Sequence, residues 1–161
     1  MENDLPWHQT LVMPALLRHA RTAYGQAMRA ALSAIDCDDM PRNGMWVVGG
    51  LAMMDRPNLP LGALVRDLGV SKQAVGQLVD TLVLRGYLER HADPDDRRKL
   101  TVTLTPRGLA AAAAQRGARE KIDAELLSRL GPEKIAHARE VLGTLMELGC
   151  QGSESDSGET H

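Results

Sequence analysis

The sequence predicts a mainly helical chain carrying one small β-hairpin, and three observations predict it. The 161 residues are 43% hydrophobic and 25% charged but only 2% aromatic, with no Phe. That aliphatic supply suits packed helices better than an all-β sandwich. Over most of the length, apolar residues recur at the spacing of about 3.6 that an amphipathic helix needs. One short stretch breaks this rule: from Lys99 to Thr105 apolar residues and threonines alternate strictly, directly after a charged turn.

The first helix is expected to begin near Leu11 or just after Pro14. Its apolar positions are Leu17, Ala20, Tyr24, Met28, Ala31 and Ile35. Asp36 to Asp39 stops it and supplies an N-cap for a second helix, with Pro41 in the first turn and an end near Met54. Gly44, Gly49 and Gly50 weaken that helix and point to close packing against a neighbour. Asp55 to Pro60, with two prolines, reads as a loop. Leu61, Leu64 and Leu68 give a short third helix, stopped by Gly69.

Ser71 then caps a fourth helix from Lys72 to about Arg85. Its inward stripe is Ala74, Val75, Leu78, Val79 and Leu82, and Gly86 closes it in the left-handed conformation. Tyr87 to His91 is a short strand, Asp93 to Asp96 a turn. The strand after it points Leu100, Val102 and Leu104 to one face. Thr105 caps the next helix with Pro106 at its first position. That helix runs through Ala110 to Ala114, Ala118, Ile122 and Leu126 toward Leu130. Gly131-Pro132 breaks it, and a last helix carries Ile135, Ala138, Val141, Leu142, Leu145 and Leu148.

The net charge of -2, from 19 Lys and Arg against 21 Asp and Glu, hides an uneven distribution. Lys72 to Arg107 holds seven basic and five acidic residues, a local excess of +2. Residues 151–161 are mainly Gly, Ser and acid with no apolar residue, and are expected to be a disordered acidic tail. No apolar run reaches the ~18 residues of a membrane span, and Glu2 and Asp4 are not the start of a basic signal sequence. Two Cys, Cys37 and Cys150, make no disulfide framework at this length. The expectation is a cytoplasmic protein without a membrane partner.

A helix, a turn at Gly69, a capped helix and a hairpin form the order of a winged helix-turn-helix. The fourth helix leaves Lys72, Gln73, Gly76, Gln77 and Asp80 outside. Side chains at the N-terminal end of such a helix reach base edges in the major groove, where Gln pairs with adenine and Lys with guanine. Gly76 allows close backbone approach, and Ser71 with the helix N-terminus suits a phosphate. Arg97, Arg98 and Lys99 at the hairpin tip are placed for an adjacent minor groove. Ser71, Lys72, Gln73, Gly76, Gln77, Arg97, Arg98 and Lys99 are therefore the candidate DNA contacts.

Val70 to Arg90, followed by Asp93-Pro-Asp-Asp-Arg-Arg98 and Leu104-Thr-Pro-Arg-Gly108, resembles the MarR family of bacterial transcription regulators. The resemblance spans about Leu61 to Gly108, and the flanking helices fit its order. It implies a single MarR-like domain over residues 1–150, with dimerisation helices at about 11–35 and 106–148 and the winged helix-turn-helix at about 41–105. It implies a homodimer, held by the first, fifth and sixth helices, that sets two recognition helices in successive major grooves of a palindromic operator. It further implies a small, often aromatic or phenolic effector between the dimer layer and the DNA-binding lobe, so the reading is a repressor released by that ligand. In the wing it puts a structural acid at Asp96 and the minor-groove arginine at Arg98. Trp7, His19 and Tyr24 are candidate lining residues of the effector pocket.

Other chemistries fare poorly. Family members that sense peroxides carry a Cys near the start of the first helix, where this chain has none; a thiol switch through Cys37 stays open as an alternative. So does a winged helix used for protein contacts. His8, His19, His91, His137 and His161 lack paired spacing for zinc, and Asp93, Asp95 and Asp96 lack the Gly and Glu of a calcium loop. There is no phosphate loop, nucleophile elbow or paired-His motif. Neither an enzyme, a metal nor a cofactor is expected.

Overall fold

The computed structural model describes residues 6–53, 59–60, 71–92 and 100–155. A short 3-10 turn, Trp7–Thr10, precedes helix α1, Met13–Ser33, which carries Pro14 in its first turn where a missing N–H is harmless. α1 sends Met28 and Leu32 into the core. Ile35, expected on that stripe, lies beyond the helix end and is exposed, because the helix stops two residues earlier. It stops in a Schellman pattern: the Cys37 N–H donates to Leu32 O and the Asp36 N–H to Ser33 O. Asp36 takes the left-handed position at φ 56°.

Helix α2, Gly44–Met53, begins later than expected, so Pro41 precedes it rather than sitting in its first turn. Pro41 O nevertheless accepts from the Met45 N–H at 3.2 Å. Six of its residues are buried (Gly44, Met45, Val47, Val48, Gly49 and Leu51), which makes α2 the central helix of the core. The expected close packing is found at Gly44, where a Cβ would sit 2.8 Å from Leu82 Cδ2, but not at Gly50, which faces open space. Gly49 lies against the side chains of Arg119 and Gln115. The Gln115 amide is fully buried with neither its N nor its O paired among the described residues.

Leu59–Pro60, expected as the end of a loop, forms strand β1 instead. It adds to the hairpin of β2, Leu88–Ala92, and β3, Leu100–Leu104, giving an antiparallel sheet of order β1-β3-β2. Leu59 pairs with Val102 and Pro60 with Thr101; a proline without an N–H is tolerated there because β1 is an edge. Within the hairpin Leu88 faces Leu104 and Arg90 faces Val102. Val102 is buried as expected, but Thr101 is buried too, covered as the central strand of three. The expected third helix (Leu61 to Leu68, with Gly69) and the hairpin turn lie outside the described residues.

Helix α3, Lys72–Leu84, is the helix expected in fourth place. Val75, Val79 and Leu82 are fully buried and Leu78 packs against them. Its end is the second Schellman pattern, with Tyr87 N–H to Leu82 O, Gly86 N–H to Val83 O, and Gly86 at φ 72°. Glycine is the residue that holds this conformation without a Cβ penalty.

Thr105 caps the last helix, α4, Pro106–Ser155, as the sequence predicts. Its Oγ1 accepts from the Gly108 N–H at 3.0 Å and donates to Gly86 O at 2.6 Å. Gly108 explains the glycine of the Leu-Thr-Pro-Arg-Gly motif: a Cβ there would overlap the carbonyl oxygen of Tyr87. Gly131, at φ 78° and ψ 165°, interrupts the helical backbone where the break was expected. The helix continues through Ser155, into the segment expected to be unstructured; residues 156–161 are outside the description. Two compact units divide the chain, residues 1–119 and residues 120–161. The buried cluster named above belongs to the first.

Candidate nucleic-acid interface

Helix α3 owes its exposed face to where its apolar residues fall. With Val75, Val79 and Leu82 turned inward, Lys72, Gln73, Gln77 and Asp80 are exposed and Gly76 is half-buried. Ser71 is the N-cap: its Oγ accepts from the Ala74 N–H at 3.2 Å. That bond satisfies one of the free donors of the first turn and leaves others directed outward, where an anion would complete them. Ala74 corrects the expected stripe, since it is exposed and lies on the outer face with Gln73 and Gln77. A methyl at that position suits the C5-methyl of thymine. Its signal in the sequence was ambiguous, because a small apolar residue beside Val75 fits either side of the helix boundary.

Asp80, the acid on this face, is neutralised locally. Arg90 reaches from β2 and its Nη1 lies 2.5 Å from Asp80 Oδ1. Behind it His91 Nε2 lies 2.9 Å from Thr103 Oγ1 across the hairpin. Arg97, Arg98, Lys99 and Asp96, the expected wing contacts and wing acid, lie outside the described residues. The structure thus brings Ser71, Lys72, Gln73, Gly76 and Gln77 onto one surface.

A second cluster escaped sequence reasoning. Arg107, on the first turn of α4, places its guanidinium 4.4 Å over the Tyr87 ring. Its Nη1 donates to Arg85 O at 2.5 Å, and its Nη2 donates to Asp39 Oδ1 at 3.0 Å and to Asp36 O at 3.3 Å. The buried Tyr87 donates its hydroxyl to the same Asp39 oxygen at 2.5 Å. That bond, more than Arg107, holds the Asp39 carboxyl below its ordinary 3.8 against the opposing effect of desolvation. Burial first, then the bond to Asp39, pushes the Tyr87 phenol well above its ordinary 10.0. Partners 48 and 68 residues apart leave no periodic trace, so no pattern search would have joined them.

Between α1 and the start of α2 there is a cavity of about 270 Å³. Arg18, Arg21, Arg29 and Arg42 line it, with Met45 and Trp46 as its apolar wall. Arg21 stacks 4.9 Å from the Trp46 ring centroid, and Arg29 Nη1 donates to Met40 O at 3.4 Å. Trp7 is exposed and packs edge-on against His8 and His19, and neither Trp7, His19 nor Tyr24 lines this cavity.

A capped helix with a polar outer face, backed by a three-stranded antiparallel sheet and a central apolar helix, defines a winged-helix protein. Residues 39–99 match the model of the MarR family. An uncharacterised HTH-type transcriptional regulator of Bacillus subtilis, YhbI, is 32% identical over 102 residues, covering 62% of this chain and 64% of that protein. Transcriptional regulator HosA of Escherichia coli is 30% identical over 83 residues, covering 52% and 62%. The chain thus spans just under two thirds of the length of these relatives. The fold is shared with MepR of S. aureus, solved in complex with DNA, at a TM-score of 0.70 and 18% identity, covering 85% of this chain and 98% of that one. Apo MarR of E. coli aligns at 0.61 and 20% identity, covering 84% and 96%. Among the described residues no helix is long and apolar enough to cross a membrane.

Proposed function

We propose that the chain is a sequence-selective regulator of transcription that binds double-stranded DNA as a homodimer in the cytoplasm, without enzymatic activity or cofactor. The observation that carries this reading is the outer face of α3. Its capped N-terminal half exposes Lys72, Gln73, Ala74 and Gln77 together, two amides four residues apart and so on one side. Donors and acceptors at that spacing suit base edges, while Ser71 and the first-turn N–H groups suit a phosphate. Arg97, Arg98 and Lys99 complete the interface as wing contacts, with Asp96 as their structural acid. The relatives named as transcriptional regulators and the DNA complex of MepR support the assignment.

Repression released by a small ligand is the regulatory part of the reading. The arginine-lined cavity supports it and sharpens the ligand class to an anion with a flat apolar body, such as an aromatic carboxylate. Guanidinium groups bind carboxylate in a fork, and Trp46 offers a face for stacking. The thiol switch is the weaker reading, because Cys37 is only 3% exposed and an oxidant needs access to the thiol.

Selection of bound sites from random duplex DNA tests the proposal. An enriched inverted repeat, bound with strong salt dependence, is the expected result. Failure to enrich any site, with binding to a protein partner instead, would leave a winged helix used for protein contacts.

A further inference from the structure

Arg107 is placed where its own helix disfavours it. It occupies the second residue of α4, and a cation in a helix's first turn opposes the positive end of the macrodipole. The side chain instead crosses to the carbonyl ends of two other helices. It donates to Arg85 O, the C-cap of α3, and to Asp36 O, which follows the last turn of α1. There a cation is favoured, and it supplies donors to carbonyls at the helix ends. Asp39 and the Tyr87 ring fix the guanidinium from two further sides. A planar fork of five N–H donors can reach all of these acceptors, which one ammonium cannot.

α3 is seated on the core by Val75, Val79 and Leu82 alone among its fully buried residues. Their stripe decides which face of α3 turns inward, but apolar burial is non-directional and leaves the fine setting of the rotation to contacts of defined geometry. Hydrogen bonds are directional. Among the described residues, Arg90 on Asp80 and Arg107 on Arg85 O are polar struts on α3. Base reading by Gln73 and Gln77 needs both amides set to within about 0.5 Å, a tolerance that rotational play in the helix would exceed.

We infer that Arg107 is a positioning residue for base recognition: it sets the rotation of α3 by tying the C-terminal end of that helix to the α1–α2 turn, without itself touching DNA. This rests on the DNA-binding reading above. Binding of Arg107→Ala and Arg107→Lys is measured at several salt concentrations on the selected operator and on a scrambled duplex. Both variants lose about tenfold in the operator-to-scrambled ratio, which corresponds to roughly 1.4 kcal/mol, and keep the parental slope of log affinity against log salt. In a Gln73→Ala background the further loss on Arg107→Lys shrinks, because the two substitutions remove the same recognition.

Three results overturn the inference. A slope reduced by about one contact per protomer makes Arg107 a direct phosphate ligand. Equal weakening on both duplexes makes its role merely structural. An unchanged ratio shows that α3 is set without it. Arg107→Lys retains charge and stem and keeps the comparison available where the alanine variant does not fold. If the parental protein fails to distinguish operator from scrambled DNA, the DNA-binding reading falls first, a result separable from any of these.

Discussion

Asp39 accepts a hydrogen bond from a phenol and faces a guanidinium, and both contacts favour its charged form. Its carboxyl is therefore more acidic in the folded protein than in the unfolded chain, where it has its ordinary value. A group with a depressed folded pKa contributes stability that is present above the unfolded value. That stability is lost as pH falls through the folded value. The partial exposure of the Asp39–Arg107 pair leaves it open to screening, so the contribution is modest. Asp39→Asn keeps an acceptor for Tyr87 but removes the charge. In urea titrations the variant is less stable than the parent near neutrality. As pH falls from above the ordinary carboxylate value through the lower folded one, the parent loses stability faster and the two converge. Parallel pH profiles would show that the Asp39 charge does not contribute to the fold.

The elements divide into those written locally and those written at a distance. Ser71 before α3, Thr105-Pro106 before α4 and Gly86 after α3 each act within one turn of the helix they bound, and each was legible in the sequence. The face of α3 was legible too, apart from Ala74, because its buried residues follow the helical period. β1 was not: two residues, one a proline, become a strand only through Val102 and Thr101, some forty positions onward. Nor was the Arg107 cluster, whose partners come from α1's end, α3's end and β2's start. The end of α1 lies between these cases. Asp36 stops the helix, as the sequence predicts, but does so in a left-handed conformation at φ 56° that glycine would hold more easily. The steric penalty for an L-residue there is roughly 1–2 kcal/mol, partly offset by the greater chain entropy glycine loses, about 0.5–1 kcal/mol. Asp36→Gly should therefore raise stability by ~0.5–1 kcal/mol, read as a higher urea midpoint at unchanged slope. The bond from Arg107 goes to the backbone carbonyl and survives the change. A lower midpoint would mean that the Asp36 side chain contributes more than its backbone strain removes.

At the scale of the whole molecule, the composition that favoured helices also leaves apolar surface to be covered. In the second unit Leu127, Leu130, Val141, Leu142, Leu145, Met146 and Leu148 are all exposed. Single exposed apolar residues need no explanation, but a recurring set on one helical segment does. Val141, Leu145 and Leu148 are spaced by four and three, the stripe by which a helix packs against another. Residues 120–161 are too few to bury such a stripe within a core of their own. A second copy of the chain is the partner proposed for it, through a symmetric interface in which each stripe meets its equivalent. Leu145 stands in the middle of the run, so a charge there is buried unpaired in the dimer and solvated in the monomer. The parental protein is expected to sediment as a dimer at micromolar concentration. Leu145→Asp is expected to sediment as a monomer or to unfold, and to lose binding to the full palindrome. Leu145→Met conserves volume and apolar character and keeps the dimer. A parental protein that remains a stable monomer across that concentration range would remove the second copy from the account and leave the exposed stripe to a different chain.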